Sequence, residues 1–407
     1  MKKMNRLWEK NRPGSESMKQ HGYHVCTVTS TRADFGILSG LLKKIHQDPE
    51  FNLTMMVTGT HLKKEYGYTI EEIREEGFTE LVELDIMQNP SDPVKMAAKA
   101  LEQFGAFFKE KKPDLVLLLG DRSEILAVAM AAMLNQIPIA HLHGGERTEG
   151  AVDEACRHAI TKMGQLHFTA TEVYRNRVIQ LGEQPDHVYN VGALGVENIH
   201  NVEKYTKEEV YRRLDIPEDQ PFIIVTFHPQ TLSEQQIQEQ LQPLTEVMGD
   251  HPEFHYIITK ANADQGGELI NKLWEEECNK HPNWRLFASL GRRLYFSSLQ
   301  QAVMVMGNSS SGLIEAPSFH LPTIDIGDRQ QGRVAAESVL HCDNTAEQIE
   351  MAVKEALCGI SENRYSKVCN PYEKPHTAET IVSILKKELG QGIDTRKCFY
   401  DITENNG

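Results

Sequence analysis

The amino-acid sequence predicts an α/β protein of two doubly wound, Rossmann-like halves. Three observations carry that prediction. Short aliphatic or β-branched runs alternate with stretches of helical hydrophobic spacing along the chain. The runs are apolar at nearly every position, as strands of a parallel sheet covered on both faces must be. The series also restarts after the polar stretch 200–220, so that the same pattern is read twice. A length of 407 residues fits two domains of roughly 150 residues or somewhat more. A composition of 40% hydrophobic and 25% charged residues is that of an ordinary globular protein.

Residues 1–21 are polar and basic, contain Arg-Pro-Gly-Ser, and are expected to form a disordered tail. A first strand over 24–29 stops at Ser30-Thr-Arg-Ala-Asp34, and Leu38, Leu41 and Leu42 give the next segment a helical face. A second strand, 51–57, ends at Thr58-Gly-Thr-His61. A polar helix over 65–77, a short strand over 80–85 and a helix over 93–110 come next. The buried strand 115–119 closes at Gly120-Asp-Arg-Ser, and an Ala/Met-rich helix covers 123–134. A strand over 137–141 then runs into Leu142-His-Gly-Gly-Glu146.

In the second half, strands over 222–227 and 255–259 end at His228-Pro229 and Lys260-Ala-Asn262-Ala-Asp264, with a Gln-rich helix over 233–248 between them. Strands over 303–306 and 322–326 end at Gly307-Asn-Ser-Ser-Ser-Gly312 and Gly327-Asp-Arg329. The expected domains are therefore 22–200 and 201–375, with a C-terminal segment 376–407 that opens on a helix. Doubly wound sheets bind ligands beyond the carboxyl ends of their strands. The polar clusters of both halves lie there, so the site is expected in the cleft between them.

Forty-three Lys and Arg against 58 Asp and Glu give a net charge of −15. That balance argues against coating nucleic acid or an anionic membrane, and leaves room for one small anionic ligand in a locally basic pocket. The seven cysteines are scattered singly, without CxxC pairs, which suits a reducing compartment. No apolar run approaches the roughly 20 residues that span a bilayer, and the first 21 residues lack the apolar core of a signal peptide. A soluble, cytoplasmic protein is expected.

Gly307-Asn-Ser-Ser-Ser-Gly312 is the clearest phosphate signal, because hydroxyls of Ser309 and Ser310 join backbone N–H groups before a helix. A serine N-cap between turn glycines is the bland alternative, but three serines exceed what capping requires. Glu315, one turn on, is placed to accept ribose hydroxyls. His228, Arg32, Arg329 and Arg333 all stand in strand-end loops where cations meet phosphate, although each alone reads equally well as a loop or surface residue.

The acidic set is different in kind. Asp121 and Glu146 follow consecutive strands, and Asp153 and Glu154 precede Arg157 and His158 by about one turn. Carboxylates converging beside cations can have their pKa values pushed apart, giving an acid and a base at one pH. Any one of them alone would pass as an N-cap or a surface acid. His141, His143, Cys156 and His158 match no common zinc spacing. Neither a dinucleotide-binding glycine fingerprint nor a Walker A run is present.

Taken together, Ser30-Thr-Arg-Ala-Asp34, Gly120-Asp-Arg, His141-Leu-His-Gly-Gly-Glu146, the Asp153 to Lys162 segment, Phe227-His-Pro, Gly307 to Glu315 and Ile326-Gly-Asp-Arg-Gln-x-Gly-Arg333 resemble the hydrolysing UDP-N-acetylglucosamine 2-epimerases. The likeness is greatest to the bacterial enzymes that open sialic acid biosynthesis, and it runs in order from about residue 24 to about 375. The resemblance implies the two-domain GT-B architecture of retaining nucleotide-sugar glycosyltransferases, with the C-terminal helix crossing back onto the first domain. It implies a reaction without metal or other cofactor, a UDP-sugar and UDP as ligands, and assembly as a dimer or tetramer.

The reaction implied is UDP-N-acetylglucosamine plus water giving N-acetylmannosamine plus UDP, by anti elimination through 2-acetamidoglucal and then addition of water. By the same resemblance Asp121, Glu146, Asp153 and His143 are the acid/base candidates, with Arg157 orienting them. Arg32, His228, Ser309, Ser310 and the Gly312 backbone are expected on the diphosphate. Gly192, Asn262, Asp264, Leu290, Arg329 and Arg333 are expected around the nucleotide, and Glu315 on the ribose. Some relatives carry a glutamate where this chain has His143, so either His143 or Glu146 takes that part.

Two other readings share these motifs. One is the same chemistry on UDP-2,4-diacetamido-2,4,6-trideoxyglucose, and the other is a non-catalytic UDP-sugar-binding module. A non-hydrolysing epimerase fits less well, since that branch has Glu-Ala-Gly where this chain has His143-Gly-Gly.

Overall fold

The computed structural model describes residues 22–87, 92–148, 152–229, 236–261 and 266–402. The expected tail 1–21 and the expected pocket residues Asn262 and Asp264 lie outside the described residues.

Seven strands and the helices between them build the first half. In order these are β1 (Tyr23–Thr29), α1 (Arg32–Gln47), β2 (Phe51–Val57), α2 (Ile70–Glu75), β3 (Leu81–Glu83), α3 (Pro93–Lys111) and β4 (Leu115–Leu119). They continue with α4 (Ser123–Leu134), β5 (Ile139–Leu142), α5 (Asp153–Met163), β6 (Leu166–Thr169), α6 (Glu172–Gln180), β7 (Val188–Asn190) and α7 (Leu194–Asn201).

The second half follows with α8 (Lys207–Leu214), β8 (Phe222–Thr226), α9 (Ile237–Asp250), β9 (His255–Thr259), α10 (Gly267–Cys278), β10 (Trp284–Phe287) and α11 (Gly291–Leu299). Next come β11 (Met304–Gly307), α12 (Ser310–Ile314), β12 (Thr323–Ile326), β13 (Val339–Cys342), α13 (Ala346–Ser361) and α14 (Thr377–Gln391).

All strand pairs are parallel, in the orders β3-β2-β1-β4-β5-β6-β7 and β10-β9-β8-β11-β12-β13. Each order reverses once, between β1 and β4 and between β8 and β11, and such a switch point opens a crevice at the strands' carboxyl ends. The two crevices face each other, because Arg292 of α11 and Arg333 beyond β12 both bond residues of the first half. This is the GT-B arrangement of two Rossmann-like domains.

Central strands are fully buried, β4 at all five residues, as a sheet covered on both faces requires. α1 shows how the sequence sets one element. Thr31 caps it and forms a capping box with Asp34, and Leu38, Leu41, Leu42 and Ile45 fall on its buried face. The same core takes Ala378, Ile381, Val382, Leu385 and Leu389 of α14, so the C-terminal helix completes the first half. Beyond it Lys397 binds Glu183, and Tyr400 donates its N–H to the Gly182 carbonyl.

The expected polar helix over 65–77 is a correction. Only Ile70–Glu75 is α-helical, after a 3₁₀ turn at Lys64–Tyr66. Gly67 and Tyr68 both adopt positive φ, at 91° and 48°, which a continuous right-handed helix cannot contain. Among the described residues no helix is long and apolar enough to cross a membrane.

Candidate active site

The loop after β5 carries His143 and Glu146, two of the expected acid/base candidates. Gly145 adopts φ +79°, and a Cβ there would lie 2.5 Å from the Tyr174 carbonyl oxygen, so only glycine lets the loop pack on α6. His143 also takes a positive φ of 63°, an uncommon conformation for a side chain other than glycine and one that clusters at functional sites. Its Nδ1 lies 2.8 Å from Glu146 Oε1, and its Nε2 is buried without a hydrogen-bonding partner among the described residues. Glu146 is 3% exposed. Burial alone would raise its pKa; the charge of and hydrogen bond to His143, and then Arg333, outweigh that and hold it below the usual carboxylate value. With Glu146 ionised the shared hydrogen belongs to Nδ1, and Nε2 is the ring nitrogen left to exchange protons.

Asp121, one residue past the positive-φ Gly120, pairs with Arg157 of α5. Arg157 is 2% exposed, and burial, then the nearby Arg333, lower it to about 9. It also donates to the Thr148 hydroxyl at 2.9 Å. Glu154 Oε2 accepts the Thr148 N–H at 2.6 Å, and Glu154 Oε1 lies 3.0 Å from His158 Nε2. Glu154 therefore ties the end of the loop to the first turn of α5, where Asp153 is the first residue. His141 is buried below, its Nε2 2.8 Å from the Gly120 carbonyl and its Nδ1 3.1 Å from Thr161 Oγ1. Among the described residues no group of His, Cys, Asp and Glu is arranged to hold a metal ion.

Across the cleft, His228 follows β8 and its backbone N–H donates to Asn308 Oδ1 at 2.7 Å. Burial, then the nearby Arg329, lowers His228 to about 3, so it is neutral at physiological pH, and its Nδ1 is buried without a partner. Arg329 Nη1 and Gln330 Nε2 donate to the Asn308 carbonyl at 3.0 and 2.8 Å. Ser309 caps α12, and Ser310 is its first residue. The Gly312 N–H is engaged with the Ser309 carbonyl, and a Cβ at Gly312 would lie 2.6 Å from Thr323 Cγ2. That glycine is thus dictated by packing on β12. Glu315 accepts from Ser311 Oγ at 2.5 Å, and burial pushes it up to about 7. Its Oε1 faces Gly195 of the first half, 3.4 Å from where a Cβ would stand.

Arg32 is the first residue of α1; its Nε lies 3.0 Å from Glu72 Oε2, and its guanidinium abuts Gly291 beside Leu290, the cap of α11. Two expected nucleotide residues make close contacts with distant segments. Gly192, at φ +87°, packs on Lys374 and Thr377 of the segment leading to α14, with 2.8 Å between a would-be Cβ and Lys374 Cβ. Arg333 crosses to the acid/base loop, where Nε donates to the Arg147 carbonyl at 2.7 Å and Nη2 to Thr148 Oγ1 at 2.9 Å. Its Nη1 is 3.3 Å from Glu146 Oε2.

Sequence reasoning passed over four groups that the fold brings here. Thr148 joins Arg157 to Arg333. Asn308 joins β8 to the loop after β12. Arg292 fixes α11 to Gly36 and Ser39. At the switch point of the first sheet, Ser30 Oγ lies 2.8 Å from Glu124 Oε1 and 3.0 Å from Asp34 Oδ2, with Arg122 Nε 2.7 Å from Glu124. Ser30, Arg122 and Asn308 stand inside recognisable motifs, and that position was their only signal.

Residues 43–386 match the family described as UDP-N-acetylglucosamine 2-epimerase. The chain is 36% identical, over 93% of its length and 98% of the relative's, to polysialic acid biosynthesis protein P7 of Escherichia coli. It is 38% identical, over 78% of its length and 83% of the relative's, to the GDP/UDP-N,N'-diacetylbacillosamine 2-epimerase (hydrolyzing) of Campylobacter jejuni. Among solved structures, the UDP-GlcNAc 2-epimerase of Neisseria meningitidis bound to UDP-GlcNAc shares the fold, with a TM-score of 0.78 at 18% identity over 90% of this chain and all of that one. With the family matched over most of its length and relatives aligned nearly end to end, this chain belongs to the UDP-N-acetylglucosamine 2-epimerase family.

Proposed function

We propose that the protein is a hydrolysing 2-epimerase that converts UDP-N-acetylglucosamine and water to N-acetylmannosamine and UDP. One observation carries the reading. His228, Ser309, Ser310 and Arg329 follow strands of the second half, Asp121 and the His143–Glu146 pair follow β4 and β5 of the first, and Arg333 bridges the two, which supports a phosphate-type set facing an acid/base set. The names of the relatives from Campylobacter jejuni and Legionella pneumophila, 38% and 35% identical, support the hydrolysing outcome.

In the first step a base takes the proton from C2, the C1–O bond breaks anti to it, and UDP leaves with the electron pair. The product is 2-acetamidoglucal. Water then adds its oxygen at C1 and a proton reaches C2 from the opposite face. The C2–H is weakly acidic, so the step depends on stabilising the departing diphosphate. Neutral His228, the Ser309 and Ser310 hydroxyls, Arg32 and Arg329 do that work. Asp121 and the His143 Nε2 exchange protons with the sugar, Glu146 orients His143, and Arg157 holds Asp121 in place. Asp153 opens the helix that carries Arg157. No metal or other cofactor takes part in these steps.

A second substrate has specific support, because both of those relatives are named for N,N'-diacetylbacillosamine, a 2,4-diacetamido sugar. Comparing kcat/KM for the two UDP-sugars, read as free UDP, decides between them. UDP-N-acetylglucosamine is expected to be the better substrate. A preference of about tenfold or more for the diacetamido sugar would move the assignment.

Glu315 gives a separate expected result. Its ionised form accepts ribose hydroxyls, so UDP binding favours loss of its proton. With the carboxyl at about 7, affinity for UDP should fall as pH drops from 8 to 6, by up to about tenfold per pH unit below the pKa. Glu315→Gln should flatten this dependence, leaving only titration of the nucleotide's own phosphate. Calorimetric titrations of the two proteins across that range check it, and identical pH dependence would contradict the ribose assignment.

A further inference from the structure

The loop after β12 carries two arginines that serve opposite walls of the cleft. Arg329 stays with its own half, on the Asn308 carbonyl beside His228. Arg333 leaves it. Its three guanidinium nitrogens meet the Arg147 carbonyl, the Thr148 hydroxyl and Glu146 Oε2, all on the loop after β5, and its side chain is 8% exposed. Three of its five N–H donors, one on each nitrogen, are thus committed to the loop after β5.

The rest of the loop is fitted to the same contact. Gly332 adopts φ +76°, a conformation that favours glycine, and packs against the Arg147 guanidinium. Val334, the residue after Arg333, is gripped from both sides. Its N–H donates to Tyr174 Oη of α6 at 3.0 Å, and its carbonyl accepts from Tyr372 Oη at 2.7 Å. The two tyrosine hydroxyls are themselves 2.7 Å apart. The loop that follows the nucleotide-side strands is thus docked, residue by residue, on the loop that carries the acid/base pair.

We propose that Arg333 is a positioning residue for the acid/base pair: closing the UDP-binding half over the first half delivers its guanidinium to Glu146 and Thr148. The proposal rests on the epimerase reading and extends it. Thr148 makes the contact two-sided, since its hydroxyl accepts from Arg333 and from Arg157, each at 2.9 Å. One cross-cleft residue therefore touches both carboxylate assemblies, Glu146 directly and Asp121 through Thr148 and Arg157.

Glu146 is faced by His143 on its own loop, His141 of β5, Arg333 of the other half, Arg177 and Tyr174 of α6, and Tyr372 of the segment before α14. Of these, Arg333 and His143 are the ones bonded to the carboxylate. Of these two, Arg333 is the one that arrives from the UDP-binding half. Nucleotide bound to that half and the ionised state of Glu146 are then linked, because both favour the closed arrangement.

The test uses the full chain with Arg333→Gln and Arg333→Lys. Arg333→Gln is expected to lower kcat by about 10²-fold, the scale of a misplaced catalytic group, with the UDP dissociation constant within about threefold of wild type. The acid limb of kcat, read at saturating substrate so that Glu315 and nucleotide binding do not enter, should move to higher pH by about one unit, as loss of a neighbouring cation allows. Arg333→Lys keeps the charge without the fork, and should recover the limb more than the rate.

A UDP affinity that falls in parallel with kcat/KM would make Arg333 a phosphate ligand and overturn the proposal. So would a lost rate with an unmoved acid limb, which a purely structural role would give. If wild type turns over no UDP-sugar, the epimerase reading fails, and the Glu146 titration followed by carboxyl carbon-13 NMR with UDP bound still decides the inference. A higher midpoint in Arg333→Gln than in wild type supports it. An equal midpoint refutes it, and Arg333→Lys serves the same comparison if the glutamine variant does not fold.

Discussion

Glu146→Gln is expected to reduce turnover by about 10³-fold, within the range of a general acid–base contribution, with UDP affinity little changed. Glutamine fits the space but carries no charge, so it cannot hold the Nδ1 hydrogen of His143 against exchange between the two ring nitrogens. Nε2 then loses the defined state that proton transfer needs. The Arg333 guanidinium, 3.3 Å from Oε2, would in addition face a neutral amide. Asp121→Asn should act in the same direction, because it leaves the buried Arg157 with only the more distant Glu154 carboxylate, 3.5 Å away. Single-turnover rates beside calorimetric UDP titrations check both. Full activity in either variant would remove that residue from the acid/base set, and a parallel loss of UDP binding would reassign it to the nucleotide.

The largest effect on stability is expected at Gly307. It ends β11, the strand at the centre of the second sheet, at φ +130°. A Cβ there would stand 2.0 Å from the Thr226 carbonyl oxygen and 2.7 Å from its carbon. Backbone on both sides leaves no flexible side chain to give way. Gly307→Ala combines that clash with a φ that alanine rarely adopts, and should destabilise the second half by about 4 kcal/mol or more, at the upper end for single substitutions. Gly105 is the control. It lies inside α3 with nothing within 4 Å of a would-be Cβ, so Gly105→Ala should stabilise by about 0.5–1 kcal/mol. Chemical denaturation of the two variants, with Trp274 and Trp284 fluorescence following the second half and circular dichroism the whole chain, would show opposite shifts. A Gly307→Ala protein as stable as wild type would mean that β11 and β8 are packed differently.

The doubly wound plan was legible because the central strands are buried on both faces and read as continuous apolar runs. Three short strands were not. β6, inside the first sheet, is Leu166-His-Phe-Thr169, and of the edge strands β7 spans three residues and β13 is Val339-Leu-His-Cys342. Runs so short and mixed do not rise above loop composition, and only pairing with a neighbour makes them strands. β5 starts at Ile139, later than the apolar run beginning at Ile137, because Pro138 has no N–H to give to the ladder.

The site shows the same division. His143 and Glu146 are three residues apart in a loop, so their meeting lay within reach of the motif; the fold joins them in one pair, where sequence left a choice between the two. The close packing of Gly192 on Lys374 and Thr377 could not be foreseen, because those neighbours are about 180 residues away in the chain. Arg333 is the plainest case. Its spacing from Arg329 suggested a second phosphate ligand, and nothing local indicates that it crosses to a loop some 186 residues earlier. Contacts that depend on how two domains close cannot be read from the residues that flank them.

Proton NMR of the reaction in D2O, with UDP-N-acetylglucosamine as substrate, tests elimination followed by addition of water most directly. Free UDP should appear with an equal amount of N-acetylmannosamine carrying deuterium at C2, since the proton removed from C2 is replaced from solvent. Accumulation of UDP-N-acetylmannosamine without free UDP, or N-acetylmannosamine that keeps its C2 proton, would contradict it.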